Sequence, residues 1–136
     1  MVEVVLVIKE FFISTGSREE MVDITGKVAS SVKDVKEGVV TVFCPHTTAA
    51  VTINENADPD VKRDILWKLS QMIPKKDCYE HSEGNSDAHL KSSLVGCSET
   101  VIVKDGKLVL GTWQTLYFCE FDGPRQRRVL VKVVGK

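Results

Sequence analysis

Hydrophobic and polar positions along the chain alternate between two periods, and the changes of period mark the elements. From Glu3 to Ile13, Val, Ile and Phe dominate, and this density of β-branched and aromatic residues predicts a long strand. Gly16 marks a turn, and Met21 to Ile24 predicts a short second strand. From Thr25 to Val35 the period lengthens: Val28, Val32 and Val35 fall on one helical face, with Lys27, Lys33 and Asp34 outside it. Gly38 ends that element. Val39 to Cys44 is a nearly continuous β-branched run, the pattern of a buried strand. Thr48 to Asn54 predicts its neighbour, with Pro45-His46-Thr47 as the turn between them.

The clearest helix opens at Asp58-Pro59. Asp58 is a good N-cap, and proline suits the first helical position because its missing N–H would have no partner there. Val61, Ile65, Leu69, Met72 and Ile73 form one apolar stripe against Lys62, Arg63 and Lys68, and Pro74 stops the helix. A polar loop from Lys75 to Ser86 follows, with Asp87 expected to cap a short helix running to Gly96. Thr100 to Lys104, Thr112 to Phe121 and Arg128 to Val134 predict three closing strands, and Asp105-Gly106 is a strong hairpin turn. These elements are interspersed without regular βαβ spacing. The expected class is therefore α+β, with a mixed, strongly curved or barrel-like sheet and about three helices.

Size and charge narrow the picture. A chain of 136 residues suits one domain, here taken as 1–136. Eighteen basic against 19 acidic side chains leave a formal charge of -1, which argues against nucleic acid and acidic membrane surfaces as partners. No run approaches the ~20 apolar residues of a membrane helix. The apolar start is interrupted by Glu3 and lacks a preceding basic segment, so it is not expected to be a signal peptide. Cys44, Cys78, Cys97 and Cys119 form no C-x-x-C pair. All four are expected as free thiols packed like small hydrophobes, with a reducing cytoplasm as the setting.

Candidate chemistry concentrates at element ends. The three histidines, His46, His81 and His89, lie in a strand-to-strand turn, a polar loop and the first turn of a helix. Neutral imidazoles from three segments suit a catalytic divalent metal, zinc above all; ordinary surface or hydrogen-bonded histidines are the alternative. Glu55 has no capping role and can act as general acid or base, or orient a histidine or water, whereas Asn56 and Asp58 are explained by turn and cap chemistry. Gly84-Asn85-Ser86 before a helix, with Lys91 one turn on, has the ingredients of a phosphate site. Gln114 and Glu120 share one strand face but stand ~20 Å apart, so they flank one site only if the strand bends or a neighbouring subunit completes it. Gly123 to Arg128 is the one dense basic cluster, either a solvated hairpin or an anion clamp.

Three blocks together resemble one family. H-T-T-A-A-V-T-I-N-E-N-A-D-P-D-V (His46 to Val61), Y-E-H-S-E-G-N-S-D-A-H-L-K-S-S-L-V-G (Tyr79 to Gly96) and G-T-W-Q (Gly111 to Gln114) closely resemble the YjbQ-like family, often labelled secondary thiamine-phosphate synthases. The resemblance spans nearly the whole chain. It implies an α+β domain in a compact homotrimer, with one site per subunit at an interface. It also implies transfer of a hydroxymethylpyrimidine from its diphosphate to a thiazole phosphate. On this reading His46, His81 and His89 hold a divalent metal: zinc, with Mg, Mn or Ni as alternatives. Glu55 and Asn56 are the catalytic pair. Thr47, Lys91, Ser92, Gln114, Arg127 and Arg128 bind a small phosphorylated metabolite. Two other readings stay open: a metal-dependent hydrolase or lyase on another phosphorylated metabolite, and a non-enzymatic anion-binding trimer.

Overall fold

The computed structural model describes residues 4–136. The expected start of the first strand at Glu3 lies outside them. Two sheets and three helices make three layers. One sheet has the order β1 (Val5–Ser14), β8 (Gln126–Gly135), β3 (Glu37–Phe43), β5 (Ser98–Lys104) and β6 (Lys107–Leu108). The smaller sheet has the order β2 (Glu20–Asp23), β7 (Gln114–Glu120) and β4 (Ala49–Glu55). Together they form a strongly curled half-barrel. The α+β class, the curved sheet and three helices stand as expected, but among the described residues every pairing is antiparallel rather than mixed. The physical reason is connectivity: no helix serves as a crossover between parallel neighbours, so each strand meets its partner running the opposite way.

The core lies between the sheets. Val40, Val42, Val101, Val103, Val129, Val131 and Val133 from the larger sheet pack on Val51, Leu116 and Phe118 from the smaller one. These are the alternate positions that period two assigns to one face. The other face of the smaller sheet carries Ala50, Tyr117, Cys119 and Phe121 beneath the helices. Strand β7 is therefore buried on both faces from Leu116 to its end at Glu120, a run in which Glu120 is the one charged residue.

Helix α1 is shorter than its periodicity suggests: it covers Thr25–Ala29, and the rest of the run to Val35 is tight turns. Val28, Val32 and Val35 still point into the core. The chain tightens because successive N–H groups bond three residues back, Ser31 to Val28 and Val32 to Ala29, instead of four. Helix α2 (Pro59–Met72) begins as expected, with the Asp58 carboxylate accepting from the Asp60 N–H at 2.9 Å. Its Ile65, Leu66 and Leu69 are half-buried on the small sheet, while Met72 is exposed and Asn54 and Thr52 lie beneath.

Helix α3 (Ser86–Val95) departs from expectation at its start. Asn85 is the N-cap residue and Asp87 makes no cap. Asp87 is instead buried against Arg18 and Lys91, because two cations inside the fold outbid a single backbone N–H for a carboxylate. The Asp105-Gly106 hairpin forms with both residues at positive φ, 51° and 74°. The thiols divide: Cys44 and Cys119 are buried as expected, whereas Cys78 and Cys97 are exposed, since each sits beyond the last packed turn of an element.

Gly38 and Gly135 face each other where β3 crosses β8. A Cβ on Gly38 would lie 2.3 Å from the Val134 carbonyl oxygen, so only glycine permits this approach. Gly38→Ala should therefore lower unfolding stability by about 1–3 kcal/mol, read as a drop in the urea midpoint at unchanged slope. An unchanged midpoint would mean that the strands separate there without penalty.

Candidate functional site

The site begins with a buried ion pair joining the two sheets. Glu120, at the end of β7, receives Arg127 Nε at 2.9 and 3.1 Å, and the Arg127 Nη2 group also bonds it. Thr15 Oγ1 donates to Glu120 at 2.7 Å, and the Asp122 N–H at 3.1 Å. Burial by itself would raise the Glu120 pKa, but the hydrogen bonds from Arg127 and Thr15 hold it below its ordinary value. Arg127 Nη2 then reaches past the pair to Thr48 Oγ1 at 2.9 Å and the Thr48 carbonyl at 3.3 Å. That contact fixes the exit of the Pro45-His46-Thr47 turn.

His46 is oriented by backbone. Its Nε2 accepts the Arg128 N–H at 3.0 Å, and its ring stands edge-on to Phe118 at 6.4 Å. Burial and the Arg127 charge lower its pKa, so the imidazole is neutral near pH 7. With Nε2 accepting, the ring proton sits on Nδ1. Beside His46, Arg125 and Asn85 both donate to Asp122, at 3.1 and 2.9 Å. The Asn85 side-chain amide oxygen, Oδ1, is buried without a partner. These side chains, with Thr47 and His89, line a cleft of about 400 Å³. On the other side of His89 a wider opening of about 590 Å³ holds His81, Tyr79 and Cys78. His81 and His89 meet with ring centroids 5.5 Å apart.

Lys91 and Ser92 serve a different purpose. The Lys91 ammonium is 1% exposed and donates to Glu19 at 2.8 Å and Asp87 at 2.9 Å. Arg18 completes the cluster from 3.0 Å. Ser92 Oγ donates to the Ala49 carbonyl at 2.6 Å, pinning α3 to the start of β4. Both residues hold the helix that presents His89, and neither lines the His46 cleft. Arg128 turns its side chain toward Glu10, 3.2 Å away, and acts on the cleft through its backbone N–H.

Glu55, Asn56 and Gln114 gather elsewhere. Glu55 pairs in register with Gln114 at the far end of β4, a seven-residue strand, so ~20 Å separates it from the end that carries the His46 turn. Its carbonyl accepts the Tyr117 hydroxyl at 3.0 Å. Asn56 Nδ2 lies 3.4 Å from the Asp23 carboxylate, and Gln114 Oε1 accepts the Gly111 N–H at 2.8 Å. The chain thus brings together His46, Thr47, His89 and Arg127 at one end, and Glu55, Asn56 and Gln114 at the other.

The three histidines do not assemble one ligand set within the chain. Among the described residues no group of three or more His, Cys, Asp or Glu side chains is placed to hold a metal ion. His46 Nε2 is engaged by a backbone donor, while the His81 and His89 rings have the proximity that shared ligation requires. Sequence reasoning passed over Asp122, Arg18 and Glu19. No signal marked them, since a lone Asp after a strand, or Arg-Glu in a turn, ordinarily faces water.

Residues 9–136 match the family described as UPF0047 protein YjbQ-like. A UPF0047 protein of Methanocaldococcus jannaschii is 58% identical over 135 residues, covering 96% of this chain and 98% of the relative. YugU of Bacillus subtilis, another UPF0047 protein, is 50% identical over 94% of this chain and 99% of its own. A crystal structure of a YjbQ/UPF0047-family protein from Clostridium acetobutylicum superposes with TM-score 0.90 at 54% identity, covering 92% and 98% of the two chains. A Sulfolobus solfataricus protein described as YbjQ-like and of unknown function gives 0.94 at 32% identity, covering 98% and 100%.

Glu120 and Asp87 both titrate below their ordinary values, 4.5 and 3.8, because of the cations that bond them, despite burial. A depressed carboxylate stabilises the fold above its unfolded pKa and loses that contribution as pH falls through the folded one. Urea midpoints should stay level down to about pH 5 and decline below it. Glu120→Gln should start about 3–5 kcal/mol lower, with Arg127 left buried and unpaired, and should decline less steeply in acid. Equal acid slopes in the two proteins would show that Glu120 does not govern acid stability.

Proposed function

The chain belongs to the YjbQ-like UPF0047 family, and from that premise we propose a cytoplasmic, homotrimeric enzyme that binds a small phosphorylated metabolite in the His46–His89 cleft. The observation that carries this reading is the convergence on one cleft of a neutral His46, Thr47, His89 and Arg125, donors suited to phosphate oxygens. The finer reading is thiamine phosphate formation: the hydroxymethylpyrimidine group leaves its diphosphate and joins a thiazole phosphate. Arg125 and Thr47 hold phosphate oxygens, and His46, donating from Nδ1, stabilises the charge that grows on the departing diphosphate. Arg127 positions Thr48, and through it the turn, from inside the fold.

Glu55 serves the departing diphosphate as general acid on this reading, and it does so across a subunit boundary. The outer face of the larger sheet exposes Leu6, Ile8, Phe12, Val39, Phe43 and Ile102, a clustered apolar surface of the kind that marks an interface. In a ring of three, each copy meets the next head to tail, so opposite ends of neighbouring chains can adjoin. The Glu55, Asn56 and Gln114 end of one copy then completes the His46–His89 cleft of the next.

Mixing tests this arrangement. Glu55→Gln and His89→Ala trimers should each lose activity in an assay of thiamine phosphate formation from hydroxymethylpyrimidine diphosphate and thiazole phosphate. After dissociation and joint reassembly, about a quarter of the sites hold both native groups, and activity should return to that extent. No recovery would place both residues on one chain or outside the site. Light scattering should give three copies per particle.

The His81–His89 pair supports a second reading, in which a divalent ion, zinc by the donor type with Mn, Ni or Mg as alternatives, is held with further ligands from outside the chain and serves a hydrolase or lyase. Elemental analysis of protein purified without chelator should then find metal that His81→Ala removes. Metal-free protein that gains no thermal stability from added Zn²⁺ would end this reading.

A further inference from the structure

The β3–β5 ladder runs antiparallel with Phe43 opposite Ser98, so the next pair in the same register is Cys44 and Cys97. One bond continues the ladder to them: the Cys44 N–H donates to the Cys97 carbonyl at 2.7 Å. Opposed residues of an antiparallel pair have Cα atoms about 4.5–5.5 Å apart, within the span that a disulfide bridges. Period two puts both side chains on one face. Cys44 continues the inward series of Val40 and Val42, and Cys97 continues that of Val101 and Val103. The two thiols differ in access. Cys44 is 1% exposed, while Cys97, just past the end of α3, is open to solvent. An accessible sulfur beside a shielded one is the arrangement in which the first can be attacked from outside and the second can resolve the product.

We propose that Cys44 and Cys97 are a redox modification site, forming a reversible disulfide by exchange with a small soluble disulfide. Cys97 gives up its proton to solvent and its sulfur attacks the small disulfide, releasing one thiol and leaving a mixed disulfide. Cys44 then loses its proton and attacks the Cys97 sulfur, releasing the second thiol. Two protein thiols are oxidised by two electrons, and one small disulfide is reduced to two thiols. The bond lies at a sensitive place. Cys44 is two residues before His46, and Cys97 follows Gly96 at the end of the helix that carries His89. The link therefore ties the His46 turn to the His89 helix, whatever ligand the cleft takes.

Incubation of Cys78→Ser protein in graded glutathione buffers, followed by alkylation and tryptic mass spectrometry, tests the site. Replacing Cys78 removes the second exposed thiol. The expected product joins peptides 37–62 and 92–104, lighter by two hydrogens than their sum. It should be lost in Cys97→Ser and restored to free thiols by dithiothreitol. Glutathione remaining on Cys97 with Cys44 still alkylated after denaturation would overturn the proposal. So would a Cys97 that stays reduced throughout, or a link that joins Cys44 to Cys119.

Discussion

Glu120 and Arg127 are both buried, come from different sheets, and hold one corner of the half-barrel together. A carboxylate inside a protein costs several kcal/mol in lost hydration, and it is retained only when its oxygens are fully bonded. Four donors meet that demand: Arg127 through two nitrogens, the Thr15 hydroxyl and the Asp122 N–H. Because these donors arrive on three separate segments, satisfying one carboxylate fixes the end of β1, the turn after β7, the start of β8 and, through Thr48, the loop holding His46. The polar end of the molecule is organised by this pair, and the apolar core supplies the platform beneath it.

A second buried cluster repeats the logic on the helical side. Asp87, Lys91, Arg18 and Glu19 neutralise one another between α3 and the segment before β2. With Ser92 on the Ala49 carbonyl, they set where α3 lies and thus where His89 faces. Basic residues that a charge count offers as ligand clamps are in two cases, Lys91 and Arg127, internal braces. What remains open to a ligand is smaller: Arg125, Thr47 and two histidines around a cleft whose walls those braces hold.

Much of the fold was legible along the chain. Period-two alternation in Val129, Val131 and Val133, the Asp58-Pro59 start and the Asp105-Gly106 turn each follow from local rules, and each is present. Helix α1 was overestimated because Val28, Val32 and Val35 face inward equally well from turns. The α3 cap was misassigned because sequence shows that Asp87 can accept from a backbone N–H, but not that Arg18, 69 residues away, competes for it. The site was half legible. Histidine positions stood out by rarity, and Asn85 by its place before a helix, whereas Asp122 is a residue type found in any turn.

Sequence by itself determined the α+β class, the order of the elements apart from the two-residue β6, the alternation of Val129, Val131 and Val133, and the family, because these depend on local periodicity and on motifs read in line. Tertiary structure alone decided which charged groups are braces and which remain available. It also decided that Glu55 and Gln114 stand a strand's length from His46, and that Cys44 meets Cys97. Those outcomes depend on register between strands distant in the chain. A charge or thiol takes its role from the partner across the sheet, and that partner cannot be read from its neighbours in sequence.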